Sequence, residues 1–422
     1  MTIPNSVTSI EYGAFATSGG LKTVVYQGNK EQWSNISINS YNTYLTKANI
    51  IYGKRYSTDN GAIYYLDNEI TAYIGTDTEI EIPAQIDGEA ITVIGENVFK
   101  NCANLANVTI PSNIMSIGSS AFDGCSGLKT VCYQGKKEQW SNISIRSNNT
   151  YLTNADFVYG KAYNTPNGIM RYANGEILSY SGTDTEMEIP SEINGEKITA
   201  IGEGVFKNCT SLVNVVIPDS IEYIETNAFE GTAFWNKADA IYAGTNLLIA
   251  NPNNIGETYT IKDGTTSIQD NAFKNCESLI TINMPESLTS IGNNAFEGCI
   301  WLTNVNMPSN VKSIGNSVFK GCKWLNNITI GAGVESIGEL AFANCSGLTS
   351  ITLPANLKSI GELAFESCNR LSGVYINDLA AWCGIDFKTE SSNPLSIAGN
   401  LYVDGNKVIE LTIPDGVMFI AI

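Results

Sequence analysis

Histidine is absent from all 422 residues of this chain. That absence removes Ser-His-Asp and Cys-His nucleophile systems, H-E-x-x-H zinc sites and most general-base arrangements that work near neutral pH. Neither a G-x-x-x-x-G-K-S/T loop nor a G-x-G-x-x-G turn after a strand is present to cradle a phosphate. No apolar run reaches the roughly 18 residues of a membrane span. The opening MTIPNSVTSIEYGAF lacks the basic start and apolar stretch of a signal peptide. Basic residues are scarce: 24 Lys and Arg stand against 42 Asp and Glu, a net charge of −18. Nucleic acid and anionic membrane surfaces both require a positive footprint and are poor partners for such a chain. Charged residues make up 16% and hydrophobic residues 43%, a balance that excludes disorder.

Cysteine is present ten times, but in the wrong spacing for zinc, whose ligand pairs lie about two to four residues apart. The nearest pair, Cys125 and Cys132, is seven apart. Asp59-Asn60-Gly61 and Asp263-Gly264 read as turns, because the calcium-loop pattern D-x-D/N-x-D/N-G with its distal Glu is missing. A glycosidase needs only paired carboxylates, and it stays as a remote alternative. No carboxylate interrupts the chain's pattern in a way that marks a pocket, so no catalytic residue, metal ligand or cofactor is assigned.

What the chain does contain is a 23-residue period. Phe273, Phe296, Phe319, Phe342 and Phe365 recur at that spacing, as do Cys276, Cys299, Cys322, Cys345 and Cys368, and Leu279, Leu302, Leu325, Leu348 and Leu371. A fixed period of this length is the mark of a solenoid. Within one copy, Leu302, Val305, Met307 and Pro308 spell L-x-x-V-x-M-P, the opening of a leucine-rich repeat. Val305 and Met307 alternate as a half-buried strand, and the proline stops the ladder. So few inward side chains cannot bury themselves; stacked coils cover one another. The expected fold is therefore a leucine-rich repeat solenoid, mostly β, with a parallel strand ladder, short turns or helical segments on the opposite side, and hairpin insertions.

The stretch IPSNIMSIGSSAFDGCSGL, from Ile110 to Leu128, resembles the repeat of the BspA-like leucine-rich repeat family. The resemblance extends over nearly the whole chain. It implies a surface or secreted protein concerned with adhesion and with binding host proteins.

Counting by phenylalanine, Phe15, Phe99, Phe122, Phe206 and Phe229 precede the five regular copies, with Ser18 and Thr232 replacing two of the cysteines. The first half is a tandem duplication at an offset of 107 residues, aligning Trp33 with Trp140 and Ile10 with Ile117. One elongated array over 1–422 is expected. It divides into a partial and first coil at 1–23, an insertion at 24–93, repeats at 94–130, a duplicated insertion at 131–200, and repeats at 201–233. An insertion at 234–267, five regular repeats at 268–376, an insertion at 377–410 and a truncated repeat at 411–422 complete it. Because the chain begins and ends within a coil, a fragment of a longer protein is expected, with address signals outside it.

In the insertions, NKEQW and KKEQW suit short helical turns, and ANIIYG and ADFVYG suit added strands. IYYLDNEITAYIG and MRYANGEILSYSG suit hairpins flanking the main sheet. The segment from Phe234 reads as another hairpin. NDLAAWCGIDF reads as a capped helix, and Asp404-Gly405 as a hairpin turn. Trp33, Trp140, Trp301, Trp324 and Trp382 pack an insertion onto the solenoid or face a ligand. Eight cysteines, Cys102 to Cys368, follow a repeat phenylalanine by three residues and are expected to stack inside the wall as reduced thiols, since their parallel side chains do not suit a disulfide.

The candidate contact row is the outward residue of each strand: Thr109, Asn283, Asn306, Thr329, Thr352 and Tyr375. The leading functional expectation is a monomeric, non-enzymatic module that binds protein or glycan outside the cell through its sheet face and insertions. A passive spacer carrying another domain away from the cell wall is the alternative.

Overall fold

The computed structural model describes residues 1–410, and the expected truncated repeat at 411–422 lies outside the described residues. The chain packs into two compact units, one of Met1–Tyr163 with Met170–Asn174 and the other of Asn164–Ile169 with Gly175–Ile422. Each is a β-solenoid.

In the second unit the L-x-x-V-x-M segments form the main ladder: Thr258–Thr260, Thr281–Asn283, Asn304–Asn306, Asn327–Thr329, Ser350–Thr352, Gly373–Ile376 and Leu401–Val403. These strands run parallel in chain order. A second ladder joins the Ser-Ile pairs, from Ser267–Ile268 through Ser290–Ile291, Ser313–Ile314 and Ser336–Ile337 to Ser359–Ile360. The glycine after Ile291, Ile314, Ile337 and Ile360 permits close coil approach: a Cβ on Gly361 would lie 2.4 Å from Glu339 N and 2.6 Å from Gly338 C.

A third seam runs past the phenylalanines. Asn271, Phe273 and Asn275 donate their N–H groups to the carbonyls of Asn293, Ala295 and Glu297 at 2.9, 2.7 and 2.8 Å. Alternate N–H groups point at the next coil because the residues two before and two after each phenylalanine are left-handed. Asn271, Asn294, Ser317, Leu340 and Leu363 occupy the first position; Asn275, Gly298, Gly321, Asn344 and Ser367 occupy the second. Asn and Gly take this conformation at low cost, whereas Leu340 and Leu363 do not. Inside the three seams the rings of Phe273, Phe296, Phe319, Phe342 and Phe365 stack at 5.0–5.5 Å with interplanar angles of 6–11°.

The first unit repeats this plan. Glu79–Glu81, Asn107–Ile110, Thr130–Tyr133 and Asp156–Tyr159 form one parallel main ladder, and Thr2–Ile3, Thr23–Tyr26 and Asn49–Tyr52 form another. Much of what reads as insertion at 24–93 and 131–200 is therefore coil. Ser37–Ile38 pairs with Ser9–Ile10, and Ser144–Ile145 pairs with Ser116–Ile117. A short helix, Thr150–Thr153, replaces the phenylalanine turn. Buried Asn149 supplies the missing acceptor: its Oδ1 accepts from Phe122 N at 2.9 Å, and its Nδ2 donates to Gly118 O and Arg146 O at 2.9 Å each. Asn42 does the same for Phe15 N.

The helical turns form at Lys30–Ser34 and Lys137–Ser141, the former closed by reciprocal bonds between Asn29 and Gln32 at 2.8 and 2.9 Å. Asp378 caps Leu379–Cys383 through Ala381 N at 2.9 Å. The hairpins, however, do not flank the main sheet. Glu69–Gly75 joins the Ser-Ile ladder, with Ile70 opposite Ile94 and Ile94 opposite Ile117. Likewise Ala240–Ala243 pairs with Asn246–Ala250, whose Leu247 lies opposite Ile268. The isoleucine slot of the coil, not the strand slot, accepts the hairpin's alternating apolar residues.

The two long hairpins of the first half each carry a buried carboxylate, Asp77 and Asp184. Asp77 accepts from Asn60 N at 2.6 Å and Tyr73 OH at 2.7 Å, as well as from Thr58 Oγ1. Asp184 is held identically by Asn167 N, Tyr180 OH and Thr165 Oγ1. Tyr73 and Tyr180 in turn place their rings on Phe99 and Phe206 at 5.3 and 5.4 Å. They thereby take the phenylalanine slot of the coil before.

Candidate binding surface

Strand pairing aligns five of the six expected contact residues. Asn283, Asn306, Thr329, Thr352 and Tyr375 lie in one row of the second unit: Asn306 is opposite Thr329, Thr329 opposite Thr352, and Thr352 opposite Tyr375. The row extends beyond the expected residues to Thr260 at one end and Tyr402 at the other. Asn283, Asn306, Thr329 and Thr352 are exposed, and Tyr375 is half-buried. Thr109 belongs elsewhere: it is half-buried in the first unit, between Glu81 and Cys132.

A second outward row, missed by the sequence reading, runs beside the first through Thr258, Thr281, Asn304 and Asn327. The signal for it was the same alternation, since the residue before the buried Val305 must also point outward. Side chains partly satisfy one another along these rows. Asn283 Nδ2 donates to Thr260 Oγ1 at 2.9 Å, and Asn327 Nδ2 to Asn304 Oδ1 at 3.2 Å. The side chains of both rows are polar and uncharged. Among the described residues of these rows, the aromatic feature is the Tyr375–Tyr402 pair, stacked at 4.5 Å and 9°. Gly373 makes room for it, since a Cβ there would lie 3.1 Å from both rings.

In the first unit the equivalent face is partly closed. Val25 and Ile51, the outward residues of their strands, are 7% and 4% exposed because Ala62, Tyr64 and Ala72 of the hairpin fold over them. In the second cassette Arg171, 107 residues after Tyr64, donates to Cys132 Sγ at 3.4 Å and Gly160 O at 3.2 Å. The hairpins thus cover the sheet face here.

Trp33 and Trp140 pack edge-on against Tyr26 and Tyr133 at 5.2 Å each, and Trp382 packs against Phe387 at 5.3 Å. Trp301 and Trp324 stack on each other at 5.4 Å, and each remains 51% exposed. The repeat cysteines line the wall. Cys299 Sγ donates to Phe273 O at 3.1 Å, and Cys125, Cys322, Cys345 and Cys368 likewise reach the phenylalanine carbonyl of the preceding coil. Cys102 and Cys209, each first in its run, are only half-buried. No helix among the described residues is long and apolar enough to cross a membrane.

Stacked coils with L-x-x-V-x-M strands, joined on one side by a parallel ladder and on the other by short pairs and turns, define a leucine-rich repeat solenoid. Residues 1–67, 69–163, 179–239 and 253–378 match the BspA type leucine rich repeat region, in 6 copies, and the chain belongs to that family. No curated protein matches it. Among solved structures it is similar to a leucine rich cell surface protein from Faecalibacterium prausnitzii, at 25% identity over 79% of this chain and 97% of that one, with a TM-score of 0.38. A leucine-rich repeat protein from Eubacterium ventriosum is 19% identical over 84% and 95%, with a TM-score of 0.35. The pneumococcal vaccine antigen PcpA is 14% identical over 85% and 99%, with a TM-score of 0.34.

Proposed function

We propose that this chain is a non-enzymatic binding module, displayed outside the cell, that engages a protein or glycan partner through the open sheet face of its second unit. The observation that carries this reading is the uncovered row from Thr260 to Tyr402, ending in a stacked tyrosine pair. An open polar surface binds through breadth, with aromatic residues as its anchors. The extracellular setting rests on membership in the BspA type leucine-rich repeat family, resemblance to which implies a surface or secreted protein. A passive spacer needs no such surface, and nothing in a spacer's role calls for stacked, partly exposed tyrosines.

The test is a binding screen of the purified chain against immobilised host extracellular-matrix proteins and a glycan array. It is repeated with Asn306→Lys, Thr329→Glu, Thr352→Lys and Tyr375→Ala combined. A ligand bound by the parent and released by the variant, with folding intact, supports the reading. A ligand held equally by both places the contact elsewhere, and absence of any ligand favours the spacer.

A further inference from the structure

Between the coils of Phe229 and Phe273 both strand ladders of the second unit break, and a cleft opens there. Asn214–Val216 and Thr258–Thr260 belong to separate sheets, as do Tyr223–Ile224 and Asn246–Ala250, so both ladders stop here and restart. Ala250 occupies the phenylalanine position of the restarting coil: its N–H donates to Ala272 O at 2.7 Å, the bond that Phe273 makes to Ala295 one coil later. No ring is supplied. Phe229 turns to Phe234 at 5.3 Å, and Tyr259 reaches from the main strand to Phe273 at 5.6 Å.

Beside this missing ring lies a cleft of about 680 Å³, within the ~300–1,000 Å³ range of small-molecule sites. Half-buried Trp235 stands in it. The tryptophan's backbone is clamped: its carbonyl accepts from Asn251 Nδ2 at 2.7 Å, and Asn254 Nδ2 bonds Asn236 O and Ala238 O at 3.1 and 2.9 Å. None of the lining residues belongs to the main-strand ladder, so the cleft is separate from the row proposed above.

We propose that this cleft is a binding site for a neutral oligosaccharide. A sugar ring has an apolar C–H face that lies on an aromatic ring, bordered by hydroxyls that each donate and accept. Trp235 offers the aromatic surface. Asn227 and Asn253 offer amides with both donor and acceptor groups, and neither side chain is engaged elsewhere among the described residues. The charges around the cleft are already committed. Glu225 accepts from Tyr223 OH at 3.0 Å, Glu230 pairs with Lys207 at 2.7 Å, and Lys274 pairs with Glu297 at 2.8 Å. A charged ligand would have to break these pairs, whereas a polyhydroxylated neutral one uses the unengaged amides.

The experiment is titration of the full chain with a panel of soluble neutral oligosaccharides (gluco-, xylo-, manno- and N-acetylglucosamine-based), followed by calorimetry. At least one should bind with a dissociation constant in the millimolar range or tighter. Trp235→Ala should weaken it at least tenfold, and Trp235→Phe should retain part of the affinity. Asn253→Ala, at an exposed loop position, should weaken it several-fold and guards against a folding defect in the tryptophan variant. The proposal is overturned by no binding across the panel, by affinity unchanged in both Trp235→Ala and Asn253→Ala, or by tighter binding of a sulfated oligosaccharide or a peptide.

Discussion

Removal of one ring from the stacked phenylalanine column reports on whether the coils share a single cooperative core. Phe319 is completely buried and stacks on Phe296 and Phe342 at 5.5 Å on each side, at 6° and 11°. Phe319→Ala removes most of the ~150–250 Å² an aromatic side chain buries. At about 25 cal/mol per Å² that alone is several kcal/mol. The backbone cannot collapse into the gap: Phe319 N donates to Ala341 O at 2.8 Å, and its carbonyl accepts from Cys345 Sγ at 3.1 Å. A loss of about 3–5 kcal/mol is therefore expected. Phe15, half-buried in the first unit and absent from the stacked column, should cost less than half as much on the same substitution. Urea unfolding followed by circular dichroism, fitted unit by unit, provides the comparison. A loss below about 1 kcal/mol for Phe319→Ala, or equal losses at both positions, would refute a ring column whose strength depends on cover from both sides.

The left-handed turn before each phenylalanine makes a second prediction. Leu340→Asn and Leu363→Asn should each raise stability by up to about 1 kcal/mol, because Asn tolerates that conformation and Leu does not; a fall in melting temperature would mean that leucine packing outweighs backbone strain. A third concerns the thiols. Burial pushes Cys125, Cys276 and Cys368 up to about 12, and Cys299, Cys322 and Cys345 well above the usual thiol range. All six should react with a thiol reagent only after unfolding, and later than half-buried Cys102 and Cys209; disulfide-linked repeat peptides from non-reduced protein would contradict this. The fourth concerns acid. Burial would raise Asp77 and Asp184, but hydrogen bonds from Thr58, Tyr73 and Asn60, and from Thr165, Tyr180 and Asn167, hold both below the ordinary 3.8. Their contribution is fully present above that value and is lost as pH falls through the lowered folded value. Asp77→Ala should cost about 1–3 kcal/mol at pH 7 by leaving buried donors unpaired, and the gap to the parent should narrow below pH 3.8; a pH-independent gap would contradict it.

The ring, thiol and leucine ladders were legible because each slot admits one kind of side chain and recurs at a constant interval. The left-handed positions were not, since Asn271, Ser317 and Leu340 share a backbone conformation and no side-chain property. The hairpins were visible as hairpins, but IYYLDNEITAYIG alternates equally well for either ladder, and only the pairing of Ile70 with Ile94 decides between them. Tyr402 escaped the candidate row because its coil is 27 residues from Tyr375, not 23. Ala250, by contrast, lies 23 residues before Phe273. An alanine at that interval is a mark of the interruption beside the cleft that the sequence reading, which took the segment from Phe234 as a hairpin, did not use.

Hydroxyl-radical footprinting of the free chain and of its complex with the ligand from the matrix and glycan screen tests the proposed binding face most directly, because that face carries its own oxidisable reporters. Tyr375 and Tyr402 should be protected on binding, while the exposed pair Trp301 and Trp324, outside the main-strand rows, should oxidise at an unchanged rate. Protection of Trp301 and Trp324 with Tyr375 and Tyr402 unaffected would contradict the assignment of the sheet face as the binding surface.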